Sequence, residues 1–81
     1  MKQLLKFSAS WCGPCKALAK NFEHVTLGDV ELVSIDIDEQ MEKAKQFNIR
    51  GVPTLVLLED GVEVNRKSGV LMADQIEEFI K

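Results

Sequence analysis

The stretch KFSASWCGPCK, residues 6–16, holds both cysteines of an 81-residue chain, Cys12 and Cys15, with Gly13 and Pro14 between them. Upstream, residues 2–8 (KQLLKFS) read as a short strand. Downstream, Cys15, Leu18, Ala19, Phe22 and Val25 recur at helical spacing, and Gly28 and Asp29 close that helix. The cysteines therefore stand where a strand turns into a helix. Cys12 falls at the helix N-terminus, where unpaired N–H groups and the positive end of the dipole favour a thiolate. Pro14 lacks an N–H that would go unpaired there, and its fixed φ suits the first turn. A three-residue offset lets the two sulfurs meet in a small ring with little movement. Attack by Cys12 on a disulfide, followed by displacement by Cys15, makes the pair a reversible two-electron switch. On this reading Cys12 is the exposed nucleophile and Cys15 the buried resolving thiol.

Length and composition predict a single soluble domain over 1–81, with 46% apolar and 28% charged residues. The net charge of −3 is interspersed, and no basic stripe points to nucleic acid or a membrane. No apolar run approaches the ~20 residues that span a bilayer. The opening MKQLLKFSAS lacks the apolar core of a signal peptide, so a cytoplasmic monomer is expected. In that compartment two cysteines read as metal ligands or as redox chemistry. A closed zinc site takes four ligands, and the chain offers two thiols and His24. Redox chemistry is therefore the expectation, with no metal and no cofactor beyond a Cys12–Cys15 disulfide.

Residues 30–37 (VELVSIDI) suit an interior strand, and 38–48 a short helix with acids in its first turn and Met41, Ala44 and Phe47 on its apolar side. A strand opened by Pro53 covers 53–58, a turn 59–61, and an edge strand 62–67, broken by Gly69. A closing helix over 72–81 buries Met72, Ile76, Phe79 and Ile80. The order β-α-β-α-β-β-α, with a parallel crossover first and an antiparallel pair last, predicts an α/β fold: a four-stranded mixed sheet with helices on both faces.

The motif WCGPCK resembles the active-site signature of the thioredoxin family. IRGVPT, residues 49–54, resembles the loop carrying that family's cis-proline, and EDG and the SGV around Gly69 resemble its later turn and the glycine before the last helix. The resemblance covers essentially the whole chain, apart from the strand and helix that open an ordinary thioredoxin, and implies the minimal core of that fold. It further implies that Trp11 shields one side of the disulfide, that Gly51, Val52 and a cis Pro53 face the cysteines, and that Gly69 helps complete a flat docking surface. The backbone of Val52 would pair with an extended substrate. As bland alternatives, Trp11 is a core aromatic and Pro53 an ordinary trans proline.

Three positions depart from the family pattern. Lys6 stands where a buried aspartate is usual, Ser34 where a lysine is usual, and Lys20 where a helix-kinking proline is usual. The first two remove the customary proton-relay pair. Lys6 shares a strand face with Leu4 and Ser8, beneath the expected helix. Either its stem lines the core with the amine carried to water, the favoured reading, or a desolvated amine assists Cys15 in catalysis. Asp36 and Asp38 read as a solvated loop edge. The function implied is that of a cytosolic dithiol reductant of protein disulfides, recharged by thioredoxin reductase or an equivalent donor. The alternatives are a glutathione-linked, glutaredoxin-like enzyme and an interaction subunit with incidental thiols. Gly-Pro between the cysteines, in place of the Pro-Tyr typical of glutaredoxins, speaks against the first.

Overall fold

Strict alternation along the strands sends side chains to two opposite faces, and the helices cover them. In the computed structural model, which describes residues 1–81, the elements in order are β1 (Lys2–Ser8), α1 (Gly13–Phe22), β2 (Glu31–Asp36), α2 (Met41–Gln46), β3 (Thr54–Glu59), β4 (Val62–Ser68) and α3 (Ala73–Phe79). They form one sheet in the order β2-β1-β3-β4. β1 runs parallel to β2 and antiparallel to β3, which pairs antiparallel with β4. The expected mixed sheet is thus the one observed.

Register aligns the faces across β2, β1 and β3. Leu32, Leu4 and Leu57 lie side by side, as do Val33, Leu5 and Val56 in the next row. The first set joins Leu18 of α1 and Ile76 and Phe79 of α3 in one core cluster. The second set belongs with Phe7, Ile35 and Leu58 to a cluster on the other face, against which Phe47, Ile49 and Val52 pack. Helices therefore do cover both faces. The β3–β4 turn places Asp60 and Gly61 both at positive φ, 52° and 84°. That is the two-residue primed turn whose twist matches the strands.

Three local expectations are corrected. α1 stops at Phe22, short of Gly28: the N–H groups of Glu23, His24 and Val25 bond back three residues, and Thr26 N–H donates to Glu77 Oε2. A tight turn, tied to α3, replaces the last helical turn. α2 is shorter than 38–48, because Asp36 O accepts from both Glu39 and Gln40 N–H and closes a turn there, and Asn48 ends the segment at φ 54°. Met41 is 64% exposed, so the contact with the sheet is left to the half-buried Phe47 and Ile49. Met72 is likewise exposed, since it caps α3 in an extended conformation and the preceding Leu71 is buried instead. At that cap Met72 N–H donates to Gln75 Oε1 at 2.8 Å, half of a capping box.

Candidate active site

Cys12 is the N-cap of α1, with Gly13 and Pro14 in the first turn as the sequence predicts. Cys12 and Cys15 are joined in a disulfide, with their Cα atoms 5.3 Å apart. Cys15 N–H donates to Cys12 Sγ at 3.1 Å, so the first sulfur takes one of the amides left over at the helix start. Ala9, Ile37 and Val52 pack around the two half-cystines.

Exposure does not distinguish them. Cys12 is 4% and Cys15 5% exposed, which corrects the expectation of an exposed first thiol in this oxidised state. The proline loop is the physical reason. It lies over the disulfide, and Val52 O stands 3.8 Å from Cys12 Sγ. A disulfide sulfur has no proton to donate, so this is contact rather than a hydrogen bond. What does distinguish the two sulfurs is their place: Cys12 faces the loop and the helix start, and Cys15 is one turn further along α1.

The Val52–Pro53 bond is cis. Thr54 Oγ1 donates to Gly51 O at 2.7 Å and Gly69 N–H to Pro53 O at 3.0 Å, so the loop is held from both sides. Gly69 sits at φ 97°, a backbone conformation that L side chains rarely adopt. Val52 is thereby held against Cys12 Sγ, and Gly51 and Gly69 are tied into the same loop. Pro53 is buried, whereas Val52 keeps part of its surface open.

Trp11 is 68% exposed, which rules out the core-aromatic alternative. Its Nε1 donates to Asp38 Oδ2 at 2.8 Å, and Asp38 N–H donates in turn to Asp36 Oδ1 at 2.8 Å. Of the two aspartates read as a solvated edge, Asp38 therefore anchors the indole, and Asp36 holds the backbone of Asp38. The available signal was positional: parallel β1 and β2 end side by side, so the loop leaving β1 meets the loop leaving β2.

Lys6 lies on the α1 face of β1, with Ser34 and Leu55 as its cross-strand neighbours. The two departures from the family's relay pair are thus adjacent, and Ser34 is exposed. Lys6 Nζ stands 5.3 Å from the centre of the Phe22 ring. Phe22 is seven residues past Cys15, about 10 Å along the helix axis at 1.5 Å per residue. The stem follows the core while the amine meets a ring and an open edge. Burial lowers the pKa of this ammonium from the usual 10.5. Between the lowered value and 10.5 the unfolded chain holds a proton that the fold has lost, so stability rises with pH across that window. Lys6→Met keeps the stem and removes this dependence. At pH 7 the lost cation–π contact and the relieved desolvation offset each other to within about 1 kcal/mol. From there to pH 10.5 the wild type should gain on the variant in denaturant midpoint. A constant difference would show a fully hydrated amine.

Comparison with known proteins decides the family. The thioredoxin family model matches residues 1–81. The chain belongs to the thioredoxin family. Thioredoxin of Mycoplasmoides gallisepticum is 33% identical, with 99% of this chain and 82% of that protein aligned. Thioredoxin of Chlamydia trachomatis is 38% identical, over 95% of this chain and 78% of that one. A mutant thioredoxin from Halobacterium salinarum superposes with a TM-score of 0.89 at 38% identity, covering 98% of this chain and 71% of that one. With a disulfide between the cysteines of its CGPC motif, this thioredoxin-family chain is a thiol–disulfide oxidoreductase. No helix is long and apolar enough to cross a membrane.

Proposed function

We propose that the protein is a cytoplasmic, monomeric reductant of protein disulfides that works through Cys12 and Cys15 alone, with no further cofactor. The observation that carries this reading is the Cys12–Cys15 disulfide at the start of α1, with Cys12 Sγ against the Val52 carbonyl. In the reduced protein, Cys15 N–H is placed to donate to a Cys12 thiolate. An extended substrate pairs with the Val52 backbone by strand addition, which brings its disulfide to Cys12. The thiolate attacks one substrate sulfur, and the other leaves as a thiolate that takes up a proton. Cys15 then loses its proton and attacks Cys12 Sγ, releasing the second substrate thiol and forming the Cys12–Cys15 bond. Two electrons and two protons pass to the substrate. Trp11, Gly51, Pro53 and Gly69 shape the surface on which it lies. Neither nucleic acid nor a membrane takes part.

With its amine over Phe22, Lys6 takes the structural reading: Lys6→Met should reduce disulfides at the wild-type rate between pH 6 and 9. Slow resolution, with mixed disulfide accumulating, would return Lys6 to the chemistry.

One experiment identifies the electron donor. The oxidised protein is offered NADPH with thioredoxin reductase and, separately, reduced glutathione, in the presence of a disulfide-bonded protein. Turnover in the first arm is expected; turnover in the second alone would make it glutathione-linked. Equilibration against a redox buffer should place its potential near about −270 mV, the region of reducing dithiols of this kind. A value near about −120 mV, that of a dedicated oxidase, would reverse the direction of electron flow.

A further inference from the structure

Beside the loop over the disulfide lies a polar concavity of about 270 Å³. Its walls include Asn48, Arg50, Gly51, Thr54, Arg66 and Ser68, so two guanidiniums and two hydroxyls share one small hollow. Arg66 is fixed there. Its Nε and Nη2 each donate to Glu63 at 2.9 Å, and Nη2 also donates to Phe47 O at 2.6 Å, pinning β4 to the end of α2. Its Nη1 makes no hydrogen bond, and Glu63 offsets its charge. Arg50 is exposed and forms no ion pair. The hollow therefore carries one uncompensated positive charge beside a fixed planar donor.

Its position gives this meaning. Arg50 precedes Val52 by two residues, roughly 7 Å of extended chain, and Val52 O marks where Cys12 Sγ lies. Gly51, the neighbour of Val52, lines the hollow, so a peptide pairing with Val52 lies within two residues of it. We infer that the Arg50–Arg66 hollow is a specificity subsite that takes an acidic side chain within two residues of the substrate's reactive half-cystine. A carboxylate suits a guanidinium in geometry and charge, while a lysine there would meet like charge. The inference rests on the reading of the protein as a disulfide reductase.

Two oxidised peptide dimers test it, each linked through a single central cystine. One carries Glu at two residues on either side of the half-cystine, the other Gln. Flanking charge changes the leaving thiol itself, so the quantity read is the Glu-to-Gln ratio of kcat/KM in the wild type divided by that in Arg50→Gln. A value of about 5 to 10 at low salt, expressed in KM and shrinking at high salt, is expected for a partly exposed charge-assisted contact. With Arg50→Glu as the divisor the value should rise further, because like charge makes that variant disfavour the Glu peptide. Equal ratios in wild type and Arg50→Gln, with both peptides turned over, overturn the subsite and leave the reductase reading standing. Reduction of neither peptide by the wild type overturns both.

Discussion

Cys15→Ser is expected to accumulate a covalent complex with its substrate. Cys12 still attacks, but no second thiol completes the exchange, so a mixed disulfide persists and can be isolated on a non-reducing gel. Cys12→Ser should trap nothing, because the group facing Val52 and the helix start is gone. Steady-state reduction should fall by more than about 10³-fold in either variant, the scale on which loss of a member of a covalent relay is felt. The two differ in the fate of the substrate rather than in rate. Since both half-cystines are equally buried when oxidised, the assignment rests on backbone placement, and trapping through Cys15 would reverse it. The protein with both cysteines changed to serine should fold and be inert. Retained biological activity in that variant would make it an interaction subunit.

Phe7→Ala should be the most damaging of the apolar truncations. Phe7 is fully buried on β1, flanked by Ile35 and Thr54 on the neighbouring strands, and its ring centre lies 5.8 Å from that of Phe47. Truncation removes the transfer energy of a ring and leaves a cavity, together about 3–5 kcal/mol. Small domains have about 5–15 kcal/mol in total. The variant should therefore unfold at a much lower denaturant concentration, and its far-UV signal should melt many degrees earlier. Because the same cluster supports Val52, the proline loop should loosen too, with disulfide reduction lost below the melting temperature. A shift in midpoint under about 1 kcal/mol would mean that the site collapses around the missing ring. By contrast, Arg66→Gln breaks a partly exposed ion pair and the bond to Phe47 O and should cost about 1–2 kcal/mol, well below Phe7→Ala.

Much of the molecule was legible in local pattern. The apolar Leu4, Leu5 and Phe7 and the continuous apolar run Leu55 to Leu58 marked strands buried on both faces, because a pleated strand sends successive side chains to opposite sides whatever it pairs with. Asp60-Gly61 set the hairpin, since only residues tolerant of positive φ make that turn. The position of Cys12 at a helix start came from CGPC itself, because a cap is a local hydrogen-bonding problem. Helix ends were less legible. α1 yields to a turn at Glu23 because Glu77, more than fifty residues away in sequence, takes the Thr26 amide. Other features belonged to tertiary structure alone. Asp38 became the anchor of Trp11 because parallel pairing brings the ends of β1 and β2 together. Lys6 met Phe22 because α1 packs on the face of β1 that Lys6 shares with Leu4. Arg50 and Arg66 came to share one hollow because β4 folds back against the end of α2. Local rules determine what each short segment can be. Which charges end up beside the sulfurs depends on contacts between segments that no local rule relates.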